Sequence, residues 1–554
     1  MVHNMYSTIE NAIRTSTGAT DALLVNGGDH ADLASTVAFA LAKQRKQAPV
    51  KIAQEIVAVL KRQPDLAGIT IETKGPYINF TFGSSYVSNA LRAAIKPGYG
   101  NLQKKQIRVV LEHTSANPNG PLHVGHIRNS IIGDTLARAF RKAGYPLEVQ
   151  YYVNDMGRQI AIVAWGFDNL DSTKKDGEKE DAHIARIYIA ANRAIEKDEG
   201  ITQQVNTLMQ LVENGDPATV KKFRKEVSRC LDGFAVTLKD LNVRHDRFVW
   251  ESDFIRNGNT ERIINKLKRM PQAREEETLA LDLSEFGFVN KYVIRRSDGT
   301  SVYAARDLAY HAWKGANFDR IIDVLGADHK LIGAQLQCTM KLIGEKAPEI
   351  VYFEFVSLPE GSMSTRAGKF VSADDLITEI LKRAFDEVTA RRPELGEETR
   401  KTIARSVGLA AIRYDIVKVS PEKSTVFDWK EALDFERQSG PYIQYAHARA
   451  CSILGKAGSF TECFDLETEQ EIAVAKKIAR FPEVIEQVVA ELRPHILAIY
   501  ARELADTFNT FYHFEPVLKS EGNVRDRRLT LVKAVQNTLK ESLQTLGIDA
   551  IETM

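Results

Sequence analysis

Four residues, His123-Val124-Gly125-His126, carry the strongest chemical signal in this chain. They stand where an apolar periodicity begins, with Ile127, Ile131, Leu136 and Phe140 following on related turns, so they occupy the start of a predicted helix. A helix start presents unpaired backbone N–H groups and a partial positive charge, which favours an anion such as phosphate. Two imidazoles there add donors, and Gly125, lacking a side chain, lets a flat nucleotide ring approach the backbone. Two plainer readings use the same residues: a chance pair of histidines capping a helix, or two ligands of a metal, for which no third ligand is evident nearby. The four residues alone do not separate these readings; their surroundings must.

The elements around them read as an α/β unit. Ile107-Arg108-Val109-Val110-Leu111-Glu112 is short and apolar enough to be a buried parallel strand. A loop from His113 to Leu122 feeds the helix, Gly144 is placed to end it, and a second strand from Leu147 to Val153 follows. Strand, helix, strand is the building block of a doubly wound sheet. From about Phe167 to Asp240 the chain turns polar and helical, as an insertion would, before the pattern resumes with Arg320 to Leu325, a helix from about Lys330, and a strand from Val351 to Val356. These predict two separated halves of one nucleotide-binding sheet.

The chain's 554 residues exceed what one core organises. We expect a multidomain protein: residues 1–98 as an N-terminal α+β module, 99–372 as a Rossmann-type α/β catalytic domain with a helical insertion at about 167–240, 373–433 as a helical connecting region, and 434–554 as an all-α bundle. With 44% apolar and 27% charged residues the composition is that of a soluble globular protein. Seventy-four basic against 73 acidic residues leave a net charge of +1, so any nucleic-acid surface must be local. Cys230, Cys338, Cys451 and Cys463 are scattered without a CxxC pair, which argues against disulfides and a structural zinc site. No apolar run approaches the roughly 20 residues that span a bilayer, and the opening residues lack a secretion pattern. A cytoplasmic protein is expected.

The stretch Glu112-His113-Thr114-Ser115-Ala116-Asn117-Pro118-Asn119-Gly120-Pro121-Leu122-His123-Val124-Gly125-His126-Ile127-Arg128-Asn129 closely resembles the signature of arginyl-tRNA synthetases, including their form of the class I HIGH motif. The resemblance continues at Tyr303-Ala304-Ala305-Arg306-Asp307, at Gly326-Ala327-Asp328-His329, and from Ser439 to Arg449. It implies that Glu112, Ser115, Ala116, Asn117, Tyr303 and Asp307 line an arginine pocket with His126 close by, and that His123, Gly125, His126, His329, Met363 and Ser364 bind ATP. Charge chemistry agrees, because a planar guanidinium asks for carboxylates that accept in a fork, and Glu112 and Asp307 supply the pair. Asp328 stands where some members carry glutamine, and its reading stays divided between arginine and the ATP ribose.

The second class I element is a KMSKS-like loop, and the corresponding residues run from Gly361 to Lys369. Met363-Ser364 matches, but Thr365 replaces the central lysine, leaving Arg366 and Lys369 as candidate cations for the pyrophosphate, with Arg128 or Lys330 in reserve. Tyr442, Tyr445 and Arg449, spaced i, i+3, i+7, share one helix face that the family resemblance makes an anticodon contact. By the same resemblance the N-terminal module touches the tRNA elbow, with Asn79 and Phe80 as contacts.

The implied activity is arginine–tRNA ligation: ATP, with Mg2+, activates L-arginine as its adenylate, and the terminal adenosine of tRNA(Arg) accepts it. A monomer with no membrane partner and no protein-bound structural metal is expected. Two rivals use the same residues: another HxGH nucleotidyltransferase, which would lack the arginine pocket, and a non-catalytic tRNA-binding paralogue, which would be expected to have lost His123, Gly125 or His126.

Overall fold

The computed structural model describes residues 5–28, 31–297, 300–357 and 372–554. Its centre is a five-stranded, wholly parallel sheet in the order Glu349–Phe353, Arg320–Gly326, Val109–Glu112, Leu147–Val153, Arg247–Trp250. The middle strand, Val109–Glu112, is buried along its length, as its continuous apolar run requires. From it the chain winds to one side through the helix Val124–Lys142, and it returns only at Arg320–Gly326 to build the other side. Strand order therefore reverses between Val109–Glu112 and Arg320–Gly326, and such a switch point opens a crevice at the carboxyl ends of the strands. Glu112 and Asp323 are register partners across it.

The helix Val124–Lys142 buries Ile127, Ile131, Leu136 and Phe140 and ends as anticipated. Gly144 is left-handed (φ 83°), its N–H bonds Arg141 O, and Tyr145 N–H bonds Phe140 O, a closure that satisfies two terminal carbonyls.

Four helices, Arg158–Asn169, Glu180–Ile195, Glu199–Glu213 and Pro217–Asp240, intervene between the second and third strands of that half. The third strand, Arg247–Trp250, escapes the sequence reading because it lies at the sheet edge with Arg247 and Phe248 exposed, so its apolar signal is weak. A second insertion was also not foreseen: helices Glu251–Arg256 and Asn259–Leu267 with a small antiparallel sheet of Ala273–Glu275, Leu279–Leu281 and Tyr292–Arg295. Strands of three or four residues are too short for alternation to register in sequence.

The N-terminal module is a four-stranded antiparallel sheet, ordered Leu24–Asn26, Leu33–Ser35, Tyr77–Phe82, Ile69–Lys74, with its own core around Ile9, Ile52, Ile56 and Phe80. At the other end, the helices Gly440–Ala457, Glu469–Ala479, Phe481–Glu491, His495–Phe514 and Gly522–Thr545 pack together. Arg413, fully buried on the helix Glu397–Val417, ties these regions: it donates to Leu546 O at 2.7 Å, to Leu241 O at 2.7 Å and to Asp134 Oδ2 at 2.6 Å. Gly547 (φ 74°) lets the backbone pass, since a Cβ there would lie 2.2 Å from the guanidinium. Among the described residues no helix is long and apolar enough to cross a membrane.

Candidate active site

His123 is the N-cap of the helix Val124–Lys142 and folds its ring back to accept from Gly125 N at 3.1 Å. His126 accepts from His123 N through Nδ1 at 3.3 Å, and the two rings stack with centroids 3.7 Å apart. The pair caps a helix and also shapes the site. With each Nδ1 accepting, the proton of each neutral ring must reside on Nε2, a donor pointing away from the helix backbone. Burial, reinforced for His126 by His123, lowers both pKa values, that of His126 to about 3. A Cβ on Gly125 would lie 2.9 Å from the His123 ring, so the glycine first makes room for the stacked imidazole.

The loop leaving the central strand is strained: Thr114 (φ 70°) and Ser115 (φ 38°) are consecutive left-handed residues without glycine. The following helix holds them, Asn129 Oδ1 accepting from Thr114 N at 2.6 Å while Thr114 and Ser130 hydroxyls bond at 2.7 Å. The strain aims Ser115 Oγ at Glu112 Oε1, 2.9 Å away, and Ser115 Oγ accepts from Tyr152 N. Ala116 is buried, its carbonyl accepting from Tyr151, and Asn117 is exposed beside Asn154.

The helix Tyr303–Asn317 faces this loop, with Tyr303 half-exposed on its first turn and Asp307 one turn on. His311 Nδ1 lies 3.0 Å from Asp307 Oδ1, and Lys314 Nζ donates to Glu112 Oε2 at 2.5 Å. Neither His311, Lys314 nor their shared partner Asp323 figures in the sequence reading. An acid inside the apolar run of the Arg320–Gly326 strand, between Ile322 and Val324, and the i, i+4, i+7 spacing of Asp307, His311 and Lys314, were the available signals. Tyr152 Oη, Tyr292 Oη and Glu251 Oε2 are buried without a hydrogen-bond partner, each near enough to Asp307 for its charge to raise their pKa values after burial does. Buried polar groups left unpaired by their own chain call for a partner.

Asp328 and His329 pair with each other at 3.1 Å, well exposed, just past the carboxyl end of Arg320–Gly326. Met363, Ser364, Arg366 and Lys369 lie outside the described residues. The residues that follow them meet the histidine turn: Ala373 N donates to Leu122 O at 2.7 Å, and Ser372 bridges to His123. Arg128 is no reserve cation. It is completely buried, its guanidinium donating to the carbonyls of Glu354, Phe355, Ser420, Pro421 and Lys423. Lys330 pairs with Glu354 at 2.8 Å.

Tyr442, Tyr445 and Arg449 do share a face of Gly440–Ala457, whose N-cap Ser439 accepts from Tyr442 N. Arg449 lies over the Tyr445 ring at 4.7 Å and the Tyr512 ring at 5.4 Å and donates to Asn509 Oδ1 at 2.5 Å. Tyr442, half-buried, donates to Asp506 and accepts from Asn509, each at 2.8 Å. The helix His495–Phe514 therefore completes the face with Asn509, Tyr512 and exposed Phe514, which the sequence reading missed. In the N-terminal module Phe80 is corrected: successive strand residues point to opposite faces, so with Asn79 half-exposed, Phe80 falls wholly in the core. The exposed rings beside Asn79 are Tyr77 and Phe39, in edge contact at 5.4 Å.

Comparison with known proteins bears on each part. Residues 87–429 match the family described as tRNA synthetases class I (R), catalytic domain; 443–554 match the DALR anticodon binding domain; and 4–82 match the arginyl tRNA synthetase N terminal domain. The chain is 76% identical over 558 residues, covering all of both chains, to an arginine–tRNA ligase of Methanoregula boonei, and 64% identical over 559 residues, again covering both completely, to one of Methanosphaerula palustris. Among solved structures, Thermus thermophilus arginyl-tRNA synthetase superposes with a TM-score of 0.87 at 30% identity over the full length of both chains.

Proposed function

The chain belongs to the class I arginyl-tRNA synthetases and is an arginine–tRNA ligase; from that premise we propose how its residues divide the work. The observation that carries the site reading is the meeting, at one switch point, of a helix start bearing two Nε2 donors with the carboxylates Glu112 and Asp307. The guanidinium of arginine would lie between Glu112 and Asp307, with Tyr303, Ser115, Ala116 and Asn117 around it and the buried hydroxyls of Tyr152 and Tyr292 nearby. Its carboxylate attacks the α-phosphate of ATP and pyrophosphate leaves. His123 and His126 donate to the phosphates, Gly125 admits the nucleotide, and Asp328 and His329 sit at the ribose side of the crevice. A terminal hydroxyl of the tRNA, the 2′ in class I chemistry, then takes the arginyl group. No side chain becomes covalently modified, so catalysis rests on positioning and electrostatics.

Arg366 and Lys369 are our candidates for the charge on departing pyrophosphate, because the residues that follow their segment are anchored at the histidine turn and Glu354, before it, is held by Arg128 of the same helix. Magnesium would arrive with ATP and neutralise phosphate charge. The one cluster of metal-ligand types among the described residues, Glu112, His311 and Asp323, does not suit it, because the Lys314 ammonium already lies between the two carboxylates. Residues 1–98 and 434–554 would hold the tRNA at its elbow and anticodon, 99–372 carry the chemistry and 373–433 connect. We place the enzyme in the cytoplasm, as a monomer.

ATP–pyrophosphate exchange over the twenty amino acids, with tRNA included, should respond to arginine alone. A charge-assisted hydrogen bond is worth roughly 1.5–3 kcal/mol, so Asp307→Asn should weaken arginine use by about tenfold to a hundredfold with the KM for ATP little changed. An unaltered arginine KM and kcat would remove Asp307 from the pocket.

A further inference from the structure

Glu112 and Asp323 occupy the same level of adjacent strands, both buried, and two carboxylates so placed repel unless a cation separates them. Lys314 is that cation: its ammonium, fully buried over the ring of Tyr310, lies 2.5 Å from Glu112 Oε2 and 2.7 Å from Asp323 Oδ1. The other oxygen of Asp323 lies 2.7 Å from His311 Nε2, while His311 Nδ1 lies 3.0 Å from Asp307 Oδ1. Nε2 faces the Asp323 carboxylate and Nδ1 faces both the carboxylate of Asp307 and its main-chain oxygen, 2.9 Å away, so His311 is a donor on both sides, which only the imidazolium can be. Glu112, Lys314, Asp323, His311 and Asp307 thus alternate in sign along one unbroken chain.

We propose that Lys314 and His311 are positioning residues that fasten Glu112 and Asp307 into one unit and set its charge. Three carboxylates against two cations leave a single negative charge, matching one guanidinium. This rests on the pocket reading given above. It assigns a role to two residues, Lys314 and His311, that do not themselves face the substrate, with Asp323 as the carboxylate that links them.

Electrostatics agrees. Burial and Lys314 oppose charging of His311, yet Asp323 and Asp307 prevail and raise its pKa to about 10. Burial would raise Asp323, but Lys314 and His311 hold it below the usual carboxylate range. The other groups facing the chain are the hydroxyls of Tyr152, Tyr292, Tyr310 and Tyr352, kept protonated first by burial, and the Arg306–Glu251 pair. Glu251, lifted by burial to about 7, is present in wild type and in each Lys314 and Asp323 variant, which are therefore compared with one another across pH.

Charge balance makes the proposal testable in the full-length enzyme with tRNA present. Lys314→Met removes a positive charge, so Glu112 and Asp323 must share a proton at neutral pH. The arginine KM should rise about tenfold or more at pH 7 and fall again toward pH 9, with the KM for ATP unmoved. Asp323→Asn removes a negative charge. The double variant Lys314→Met/Asp323→Asn leaves Glu112 with no neighbouring carboxylate to share a proton with, so Glu112 is ionised again at neutral pH, and should recover most of the arginine KM and its flat pH profile. A spacer whose role is only structural gives no such rescue, because a second core substitution adds damage. Wild-type arginine KM in Lys314→Met across pH 6–9, or a double variant no better than the single in KM, overturns the proposal. If Lys314→Met does not fold, recovery of both folding and arginine KM in the double variant upholds it, and failure of the double to recover refutes it. Asp307→Asn separates the two layers: if that variant keeps its arginine KM the pocket reading itself falls, and if it is impaired while Lys314→Met is not, the relay alone does.

Discussion

A histidine that caps its own helix through Nδ1 has only Nε2 left to offer a ligand, and it offers a neutral donor. His123 and His126 both accept through Nδ1, so the phosphate role we propose for them needs no imidazolium. His126→Asn should lower kcat for arginine activation by about 100-fold or more, the scale of a lost preorganised donor. The shape of the pH–kcat profile between 6 and 8.5 should be retained, because a group of pKa about 3 contributes no limb there. A limb that vanishes with the variant would mean that the charged ring is the working form. Stability carries the opposite pair of signs. His126 is depressed from 6.5 to about 3, so its contribution is complete above 6.5 and is lost as pH falls toward 3; His311 is raised to about 10, so its contribution is complete below 6.5 and is lost as pH climbs through 10. Melting curves of His311→Asn should therefore lose the wild type's decline between pH 7 and 10. The histidine turn and Glu112 were legible in sequence because a motif announces them. Lys314 and Asp323 were not, since a lone lysine on a helix reads as a solvated charge and only the strand pairing brings it between two acids.

At the scale of elements, the face we propose for the anticodon is built by two helices, of which the sequence pointed to one. Tyr442, Tyr445 and Arg449 are visible in Gly440–Ala457 by spacing, whereas Asn509 and Tyr512 share their helix with buried Phe508 and Phe511 and look like more of the same core. Base stacking on an aromatic ring is worth roughly 1–3 kcal/mol, so Tyr512→Ala and Tyr445→Ala should each raise the KM for tRNA by about fivefold to a hundredfold, measured by charging. Arg449→Ala should cost more than either, because it also unpairs Asn509 from its side of the face. Equal charging of normal and anticodon-mutated tRNA by the unmodified enzyme would argue that these helices do not read bases. The third sheet strand and the small antiparallel sheet were illegible for a related reason: at four residues or fewer, period two cannot be told from chance.

Over the whole molecule, the three regions meet on single buried arginines. Arg413 bonds the end of the helical insertion, the catalytic helix and the C-terminal turn at once, and removal of one partner from a buried pair costs about 3–5 kcal/mol. Arg413→Leu should lower the melting temperature and impair tRNA charging more than tRNA-supported arginine activation. Equal melting of variant and wild type would show the contact to be idle. The parallel sheet and helical C-terminal part were readable from periodicity, but their junctions were not, because nothing in sequence distinguishes an arginine bound for carbonyls from one bound for water. Arg128 shows what such a junction implies for descent. Its five acceptors are all main-chain carbonyls, at positions 354, 355, 420, 421 and 423. A carbonyl is the same whatever side chain it accompanies, so those positions can drift through many amino acids while the clamp between the histidine helix and the two segments at 354–355 and 420–423 endures. The burden falls on one codon, since a lysine offers a single ammonium where the planar guanidinium reaches two loops, and saturation mutagenesis should find position 128 intolerant amid permissive partners.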